Sequence, residues 1–519
     1  MKTPSTTKII ITRFLLTAFG ILIFISGNYA QELLWKNSTD YGYIISGKAG
    51  VDNENNVYSL FFSFDDSYLE KFDENGTLLW SKSDTNWTSV GDMYVTAQGN
   101  IYLAGSKEVF PNNFDAYCVV FNAQGLFQYE GYYSMTNVSN ELITDILVDD
   151  DGYAYLSGYG LIDTVFHVFA FRMNPGGTVS WAQTENFDNE HFVQIGSSEM
   201  DDSGNLYVSG VHVISVDSVQ HFIIKYSKNG QHIYTKKYVK AGYSLTIAYE
   251  IIPDQDQNII FVGAIGTPTI TRGYVAKLDQ NGEVIWDYTF NPASNEMVLY
   301  SADLDENGNI YVSGQIVLSN DQEGYFAKMS PDGNVIWENI YSGAANSYDA
   351  LFKVIVEGEG CFFAGQTMGI TTKTDLFLMK TDMAGNIIWE AQYDGAEHSN
   401  DLFEYMTNDR DNNLLISGLT EEAYQKRFGT ILKYSNPTGI KEDHSASNTI
   451  GIYPNPVQDV LHFYDQPAGS YTICSIKGAE ILSGQLDASE IDISRIHQGV
   501  YLLRITDGNL IYYAKFVKQ

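Results

Sequence analysis

The sequence predicts an all-β protein, an eight-bladed β-propeller closed by its N-terminal strand and followed by a small Ig-like β-sandwich. Three observations lead to this prediction. A two-part phrase returns about every 52 residues between residues 31 and 439. The runs between its turns are rich in β-branched and aromatic residues and lack helical periodicity. A module of different pattern then occupies residues 450–519.

Residues 1–30 have the features of a secretory signal peptide. Three basic residues precede an apolar run over 14–27, and the small residue Ala30 follows. This run is shorter than the stretch of about 20 apolar residues that a helix needs to cross a bilayer. An uncleaved anchor is the alternative. We expect a cleaved leader, a mature chain that begins at Gln31, and no transmembrane segment after the leader is removed.

Acidic residues outnumber basic ones by 64 to 30, which gives a net charge of −34. Such a charge repels nucleic acid and anionic membrane surfaces, so we expect no nucleic-acid partner. The cysteines Cys118, Cys361 and Cys474 are widely spaced and odd in number. That pattern favours buried free thiols over a disulfide framework or a zinc site.

The first half of the repeated phrase is typified by DENGNIYVSG at 305–314. An eighth and shorter copy, DNENNVYSLF at 52–61, comes first and has Phe61 in place of the final glycine. In the other copies this glycine recurs at intervals of 51 to 53 residues, at Gly105, Gly158, Gly210, Gly263, Gly314, Gly365 and Gly418.

The second half of the phrase is a glycine, three residues and an aromatic, as in GNVIW at 333–337. Trp35, in the sequence ELLW, takes the same position with no first half before it. Six of the seven tryptophans occupy the aromatic position once Trp35 is included. In the complete units this residue is Trp80, Tyr129, Trp181, Tyr234, Trp286, Trp337 or Trp389.

Each complete unit contains four β-rich runs separated by turns such as DENG and SPDG, in which glycine or asparagine provides a positive φ. Four-stranded units of about 50 residues, repeated eight times, are typical of propeller blades, and a solenoid is the alternative. The last unit has only three strands. Residues 32–39 should therefore supply its fourth strand and place Trp35 in one sheet with 412–436. This closure would remove the open sheet edges.

Two resemblances follow from these phrases. The pattern DxxGNxYVSG, present at 201–210 and 305–314, resembles the bacterial β-propeller repeat of exported proteins. The NGxxxW pattern is similar to the docking repeat of pyrroloquinoline-quinone-type propellers, a resemblance that implies eight blades. Quinone dehydrogenases of that class use a pair of adjacent cysteines beside the cofactor. This chain has no adjacent cysteines, so we expect no quinone and no other cofactor.

In a four-stranded meander, the tight turns share one face and the other connections share the opposite face, which we call the long-connection face. Binding residues are normally mounted on such connections. Four stretches are expected to form long, irregular loops there, and they differ in sequence from unit to unit. They are 106–115, 211–221, 264–273 and 341–350.

Four acids, Glu141, Glu296, Asp349 and Asp401, stand at or near the start of first strands. They are candidates to ring the mouth of the central channel and hold a cation, and solvated acids of Asx-type turns are the alternative. The segment DLDENG at 303–308 matches the start of a calcium loop but lacks its final acid, so we expect a hairpin turn there. No metal ligand is assigned.

Basic residues recur on the third strands, five or six residues before the second turn. A ring of such residues could recognise an anion, whereas pairing with neighbouring carboxylates, or plain solvation, is the arrangement we expect. The residues are Lys71, Arg172, Lys225, Lys277, Lys328, Lys380 and Lys433.

The chain contains no zinc-protease, serine-hydrolase or phosphate-loop motif, so no catalytic residue is assigned. The leading hypothesis is a non-catalytic binding or scaffold protein for a glycan or protein ligand. Two acids that folding brings together leave no local motif. A carbohydrate-active enzyme, a hydrolase or lyase with carboxylates at the channel mouth, is therefore the alternative.

A polar linker is expected over 440–449, and short strands over 450–519 predict the small sandwich. This module carries a YPNP motif at its start and a basic tail at its end. The motif residues are Tyr453, Pro454, Asn455, Pro456, Asp459, Gly499, Tyr501, Lys515 and Lys518. With these residues the module resembles the type A sorting domain of the type IX secretion system of Bacteroidetes. The resemblance implies that the secretion machinery is a partner and that the protein is secreted or on the outer cell surface.

Overall fold

The structure is a computed structural model, and it divides into two compact units, Gln31–Asn436 and one that contains Pro437–Gln519. The expected signal peptide and most of the expected linker lie outside the described residues. No helix occurs among the described residues, and hence none that is long and apolar enough to cross a membrane. The described residues are 32–40, 44–63, 66–84, 90–110, 113–135, 138–162, 165–187, 192–215, 217–291, 296–318, 321–345, 347–358, 360–423, 426–436, 448–449, 452–463, 469–475, 480–486, 490–507 and 510–519.

The strands of the larger unit sort into sets of four, each antiparallel. Single parallel bridges also join the third strand of one set to the first strand of the next at two places. In chain order the sets are β2 (Ile44–Val51), β3 (Val57–Ser63), β4 (Ser67–Phe72), β5 (Leu78–Asp84); β6 (Val90–Val95), β7 (Ile101–Phe110), β8 (Asn113–Phe121), β9 (Phe127–Tyr133); β10 (Val138–Val148), β11 (Ala154–Ile162), β12 (Val165–Met173), β13 (Val179–Asn186); and β14 (Phe192–Met200), β15 (Leu206–Ser215), β16 (Ser218–Tyr226), β17 (His232–Tyr238).

The remaining sets of the larger unit complete the repeat. They are β18 (Leu245–Pro253), β19 (Ile259–Thr267), β20 (Ile270–Leu278), β21 (Val284–Thr289); β22 (Met297–Leu304), β23 (Ile310–Leu318), β24 (Asp321–Met329), β25 (Val335–Tyr341); β26 (Asp349–Glu357), β27 (Gly360–Met368), β28 (Thr374–Asp382), β29 (Ile387–Tyr393); and β30 (Leu402–Asn408), β31 (Leu414–Ala423), β32 (Lys426–Tyr434) with β1 (Leu33–Thr39).

Strand β1 closes the last set, as the sequence predicts. It runs antiparallel to β32, with Trp35 opposite Lys433 and Thr39 opposite Gly429. The two ends of the unit are therefore hydrogen-bonded in one sheet. The prediction of an all-β chain built from four-stranded sheets is confirmed.

Tight turns connect the first strand to the second and the third strand to the fourth. In the turn after β22, Asp305 Oδ1 accepts hydrogen bonds from the backbone N–H groups of Asn307 and Asn309, and Gly308 has a φ of 73°. This is a hairpin turn, as expected for the DLDENG segment.

Five tryptophans of fourth strands lie against the second tight turn of the next set, namely Trp35, Trp80, Trp181, Trp286 and Trp337. Trp389 differs, because the set that follows it has no turn between β32 and β1. Trp286, for example, donates from Nε1 to the carbonyl of Pro331 at 3.0 Å. A Cβ at Gly333 of that turn would lie 2.7 Å from the indole ring, so only glycine leaves room for this contact. The repeated glycine of one set thus contacts the repeated tryptophan of the set before it.

The expected long connections are shorter than the sequence suggests. Strands β7 and β8, β15 and β16, and β19 and β20 extend through most of 106–115, 211–221 and 264–273, and pair almost to their tips. The prediction of irregular loops is wrong there, because cross-strand pairing continues through these polar stretches. The segment between β25 and β26, within 341–350, is a connection.

The first strands of the sets surround a common space, which we call the channel. Strands β2, β6, β10, β14, β18, β22, β26 and β30 contact one another in this order, and β30 also contacts β2. Each of them carries a register irregularity opposite its second strand. Such bulges bend a strand and change the direction of its side chains.

The smaller unit contains two sheets that share one apolar core. Leu461 and Phe463 of one sheet and Leu503 and Phe516 of the other belong to this core and are buried. The strands are β33 (Asn448–Thr449), β34 (Ile452–Tyr453), β35 (Val460–Phe463), β36 (Gly469–Ser475), β37 (Glu480–Leu486), β38 (Glu490–Asp492), β39 (Gly499–Asp507) and β40 (Leu510–Lys518).

Candidate functional site

The register irregularities bring ionisable side chains from different sets together in the channel, and we call these residues the channel ring. Five of them come directly after the irregular residue of their own first strand, and the other three, Lys48, Glu199 and Asp303, lie two residues further along. The channel ring comprises Lys48, Asp92, Asp145, Glu199, Glu250, Asp303, Lys353 and Tyr405.

Two lysines of the channel ring pair with carboxylates. Lys48 lies 3.1 Å from Asp92, and this carboxylate raises the pKa of the lysine against the effect of burial. Lys353 lies 2.5 Å from Glu250, although their strands β26 and β18 are separated by β22. Burial alone would lower the pKa of Lys353, but Glu250 raises it. Both lysines are therefore held in the charged form.

Several carboxylates of the ring also join neighbouring first strands. Asp92 accepts the backbone N–H of Ile146 at 3.3 Å, and Asp145 accepts that of Ser198 at 2.6 Å. Glu250 and Asp303 make the same kind of contact to the strands that follow theirs. These acids therefore have a structural role between the sets, because each satisfies an amide of the next first strand.

Glu199 differs from these acids. Among the described residues, none donates a hydrogen bond to its carboxylate. Burial raises the pKa of Glu199 to about 7, with a contribution from Glu250 and an opposing one from Lys353. Burial also raises the pKa of Asp145, with contributions from Asp92 and Glu199. At neutral pH, Glu199 is thus poised between its protonated and ionised forms.

Aromatic residues form an arc along four successive first strands, next to the channel ring. The ring centroids of Tyr249 and Tyr300 are 5.3 Å apart, those of Tyr300 and Phe352 are 5.1 Å apart, and those of Phe352 and Phe403 are 6.2 Å apart. Tyr249 is 43% exposed, and the other three are half-buried. We call these four residues the aromatic arc. Phe403 lies at the start of β30, which is at the long-connection end of the channel, and the other three lie near the middle of their strands.

The other side of the channel mouth has small residues at the bulge positions. Gly91, Thr144 and Gly196 stand where Tyr249, Tyr300 and Phe352 stand in the later sets. A Cβ at Gly91 would lie 2.1 Å from the carbonyl oxygen of Ile143, which excludes a side chain there. The mouth is therefore asymmetric, with aromatic rings on one side and small residues on the other.

A cavity of about 400 Å³ adjoins the arc. Phe352 and Phe403 form its apolar wall, and Lys353, Glu404 and Tyr405 bring charged and polar groups to it. Burial raises the pKa of Glu404, and its carboxylate accepts a hydrogen bond from Ser46 at 2.6 Å. Apolar walls with a few polar groups are typical of small-molecule and sugar subsites.

The acids predicted from sequence lie where neighbouring sets meet. Glu141, Asp349 and Asp401 are buried, and each accepts a backbone N–H from the residue six positions earlier. Glu296 is bridged to Thr271 of the preceding set. Burial raises the pKa of Glu141 and of Asp401 to about 7. Each of the four has its contacts at its own junction, rather than with the other three.

The recurring basic residues of the third strands pair with acids, as expected. Lys433 lies 2.7 Å from Asp409, and Lys277 lies 2.8 Å from Asp254. The same pairing occurs at Lys71, Lys225 and Lys328, with Asp52, Asp201 and Asp305. Two positions differ: Arg172 stacks on Tyr153 and Lys380 bonds to Asn436.

Residues of the proposed sorting motif meet at one place in the smaller unit. Asn455 Oδ1 accepts the backbone N–H of Val517 at 2.9 Å, and Val457 N–H donates to the Val517 carbonyl. Lys518 lies 3.5 Å from Asp459. Tyr501 stacks on Phe516 and donates from its hydroxyl to the carbonyl of His497 at 2.8 Å. The tail is thereby held against the YPNP segment. The side chain of Lys515 lies outside the described residues.

The aromatic arc and the channel ring were not predicted from the sequence. A signal was present, because Asp145, Glu250, Lys353 and Tyr405 follow the repeat spacing of about 52 residues. This repeat position is an acid in some units, a lysine in another and a tyrosine in another. No single residue type therefore marks the channel ring in the sequence. Which side chains face the channel also depends on the bulge, because the extra residue reverses the alternation of side chains after it.

Comparisons with known proteins identify the smaller unit. Residues 451–519 match the family model of the secretion system C-terminal sorting domain. This confirms a C-terminal sorting domain in this part of the chain and implies interaction with type IX secretion machinery. The protein is therefore secreted and destined for the outer cell surface. No curated protein matches the chain.

Solved structures resemble the chain at low sequence identity. They include an ulvan lyase, a polysaccharide lyase (12% identity, TM-score 0.43, 66% of this chain and 93% of that chain). A second is the WD40 domain of SCAP from fission yeast (12% identity, TM-score 0.45, 78% of this chain and 98% of that chain). A third is the β-propeller domain of the Trilobed protease from Pyrococcus furiosus (12% identity, TM-score 0.38, 68% of this chain and 97% of that chain). At this identity the likeness concerns the fold alone.

Proposed function

We propose that this protein is an exported glycan-binding β-propeller of eight blades over 31–439, delivered to the cell surface by an Ig-like sorting domain over 450–519. Residues 1–30 act as a cleaved signal peptide, and 440–449 as a linker. The ligand occupies the long-connection end of the channel. In this proposal the protein binds its ligand and does not transform it.

The aromatic arc is the observation that carries the proposal. Tyr249, Tyr300, Phe352 and Phe403 present a continuous run of rings on four adjacent strands, with small residues at the matching positions opposite. Sugar rings have apolar faces and polar edges, so they suit an apolar wall flanked by hydrogen-bonding groups. Lys353 and Glu404, which line the same cavity, can bond to sugar hydroxyls. The rigid strands hold these groups in place without a ligand.

The test is a glycan array probed with the purified protein. We expect binding to a restricted set of glycans, and we expect Tyr300→Ala to lose at least tenfold in affinity for them. Phe127→Ala is the matched control, since Phe127 is an exposed aromatic on an outer strand away from the arc. Binding that is equal for the wild type and Tyr300→Ala would contradict the proposed site. Binding to no glycan would favour a protein ligand.

A carbohydrate-active enzyme is the second candidate. The pKa of Glu199 is raised to about 7, and Lys353 and Glu250 contribute to its surroundings. An acid with a raised pKa near a charge-paired carboxylate is the arrangement that glycan hydrolysis or elimination uses. In such an enzyme Glu199 would donate or accept the proton.

Product analysis separates the two candidates. The glycans that bind on the array are incubated with the protein and analysed by mass spectrometry. Cleaved or unsaturated products that disappear in Glu199→Gln, while binding persists, would establish the enzyme. Intact glycans after prolonged incubation would support the binding protein.

A further inference from the structure

Three aspartates from different elements meet where the set β26–β29 adjoins the set that contains β30. Asp375 lies on β28, Asp394 follows β29, and Asp401 precedes β30. One carboxylate oxygen of each lies within 4.8 Å of the other two. Asp375 and Asp401 are fully buried, and Asp394 is half-buried. The group stands on the long-connection face.

Two buried oxygens in this group have no hydrogen-bond partner among the described residues. Asp375 Oδ2 accepts from Gln392 Nε2 at 2.5 Å and from Thr372 Oγ1 at 2.7 Å, but Asp375 Oδ1 has no donor. Asp394 Oδ1 also has none, while its Oδ2 contacts His398 Nδ1 at 2.5 Å. A buried oxygen without a donor requires a ligand such as water or a cation.

The third carboxylate is fixed in position by the backbone. Asp401 Oδ2 accepts the N–H of Gly395 at 2.6 Å, and its Oδ1 accepts the N–H of Glu421 at 3.1 Å. Among the described ion pairs, no lysine or arginine joins the three aspartates, and His398 is an exposed partner of Asp394. Three ionised carboxylates this close together in a largely buried place are strongly unfavourable without a cation.

We propose that Asp375, Asp394 and Asp401 bind one Ca²⁺ ion that joins the two neighbouring sets. Carboxylate oxygens are the ligands that Ca²⁺ prefers, and Ca²⁺ tolerates an irregular ligand arrangement that backbone carbonyls and water complete. Mg²⁺ requires a near-ideal octahedron and is the poorer fit. The ion would connect β28 to the segment that leads into β30, beside the sheet that closes the unit.

At the preceding junction, Glu323 and Asp349 take the places of Asp375 and Asp401, and burial together with the nearby Asp321 raises the pKa of both. There Ser342 stands in place of Asp394, and its hydroxyl donates to Glu323 at 3.2 Å. The hydroxyl of Thr367 donates to Asp349, the counterpart of Asp401. Hydroxyl donors thus satisfy one oxygen each of Glu323 and Asp349, whereas Glu323 Oε2 has no donor among the described residues. Within the described part of the chain, the later junction alone brings three carboxylate oxygens within 4.8 Å of one another. This makes the preceding junction a natural control.

The test is calorimetric titration of the chelator-treated full-length protein with CaCl₂ alone and then with MgCl₂ alone. We expect one Ca²⁺ per chain, with a dissociation constant of about 10⁻³ M or tighter, and a higher Tm in Ca²⁺. Asp375→Asn should lose at least tenfold in affinity. Asp394→Ser, which introduces the serine of the preceding junction at a half-buried position, should also lose at least tenfold in Ca²⁺ affinity. It tests the site even if Asp375→Asn does not fold.

Asp349→Asn, at the control junction, should keep wild-type Ca²⁺ affinity. No Ca²⁺ binding by the wild type at millimolar concentrations would overturn the proposal. Undiminished binding in Asp394→Ser would also overturn it, as would tighter binding of Mg²⁺ than of Ca²⁺.

Discussion

Trp35 and Lys433, which face each other in antiparallel strands, donate to the same carbonyl oxygen. Trp35 Nε1 lies 3.0 Å and Lys433 Nζ lies 3.2 Å from the oxygen of Glu74, in a turn of the neighbouring set. Residues near the two ends of the unit therefore share one contact with the set that follows. The same arrangement occurs at Trp80 and Lys71, which both reach Ala123. Closure of the unit thus uses the same contact as the junctions within it.

Trp35→Ala should destabilise the unit by about 2–3 kcal/mol, somewhat less than a fully buried tryptophan would cost. The indole stacks against Gly76, and its loss leaves a gap at the closure. Chemical denaturation measures the effect. Leu34→Ala is the control, because Leu34 is exposed on the same strand. An equal effect of both variants would contradict a docking role for Trp35.

Lys433→Met should cost about 3–5 kcal/mol, because it leaves Asp409 buried without its partner. The side chains of Lys433 and Asp409 are 3% and 0% exposed and lie 2.7 Å apart. Adding Asp409→Asn should recover part of the loss in a double-mutant cycle of unfolding free energies. The exposed pair Lys426–Asp40 is the control, and Lys426→Met should cost less than about 1 kcal/mol.

Glu199 should make the unit less stable as pH rises. Its pKa is about 7 in the folded chain, against an ordinary value of 4.5. Below pH 4.5 the Glu199 carboxyl is protonated in both the folded and the unfolded chain. Between the two values the unfolded chain releases its proton first, so the free energy of unfolding falls with pH until the folded pKa is passed.

Glu199→Gln should therefore be more stable than the wild type at pH 8, by roughly 1–3 kcal/mol, and similar to it near pH 4. Urea denaturation at both pH values measures the difference. Glu306→Gln, in an exposed turn, serves as the control. A constant difference between Glu199→Gln and the wild type at the two pH values would show that Glu199 is not the titrating group.

Removal of residues 450–519 should abolish delivery to the outer surface, because these residues contain the sorting domain. We expect the truncated protein to remain in the periplasm, as measured by cell fractionation and surface proteolysis. Asn455→Ala should reduce delivery in part, since it removes the acceptor for Val517 N–H. Normal surface delivery of the truncated protein would contradict this account.

The sequence predicted those parts of the fold that depend on local chemistry repeated many times. The turn glycines and docking tryptophans indicate four strands per unit, and they predict that Trp35 lies in the sheet of β30–β32, as it does. The aromatic arc depends instead on where each bulge lies, and no local pattern marks a bulge. Asp375, Asp394 and Asp401 come from three separate elements, so only folding brings them together.

Equilibrium binding of the best glycan from the array tests the central claim most directly. The wild type, Phe352→Ala and Phe127→Ala are compared by calorimetry, with circular dichroism to confirm that each is folded. The account predicts that Phe352→Ala loses at least tenfold in affinity, because Phe352 stacks between Tyr300 and Phe403 and lines the cavity. Phe127→Ala should bind as the wild type does. Wild-type affinity in a folded Phe352→Ala variant would contradict the claim that the glycan lies on the aromatic arc.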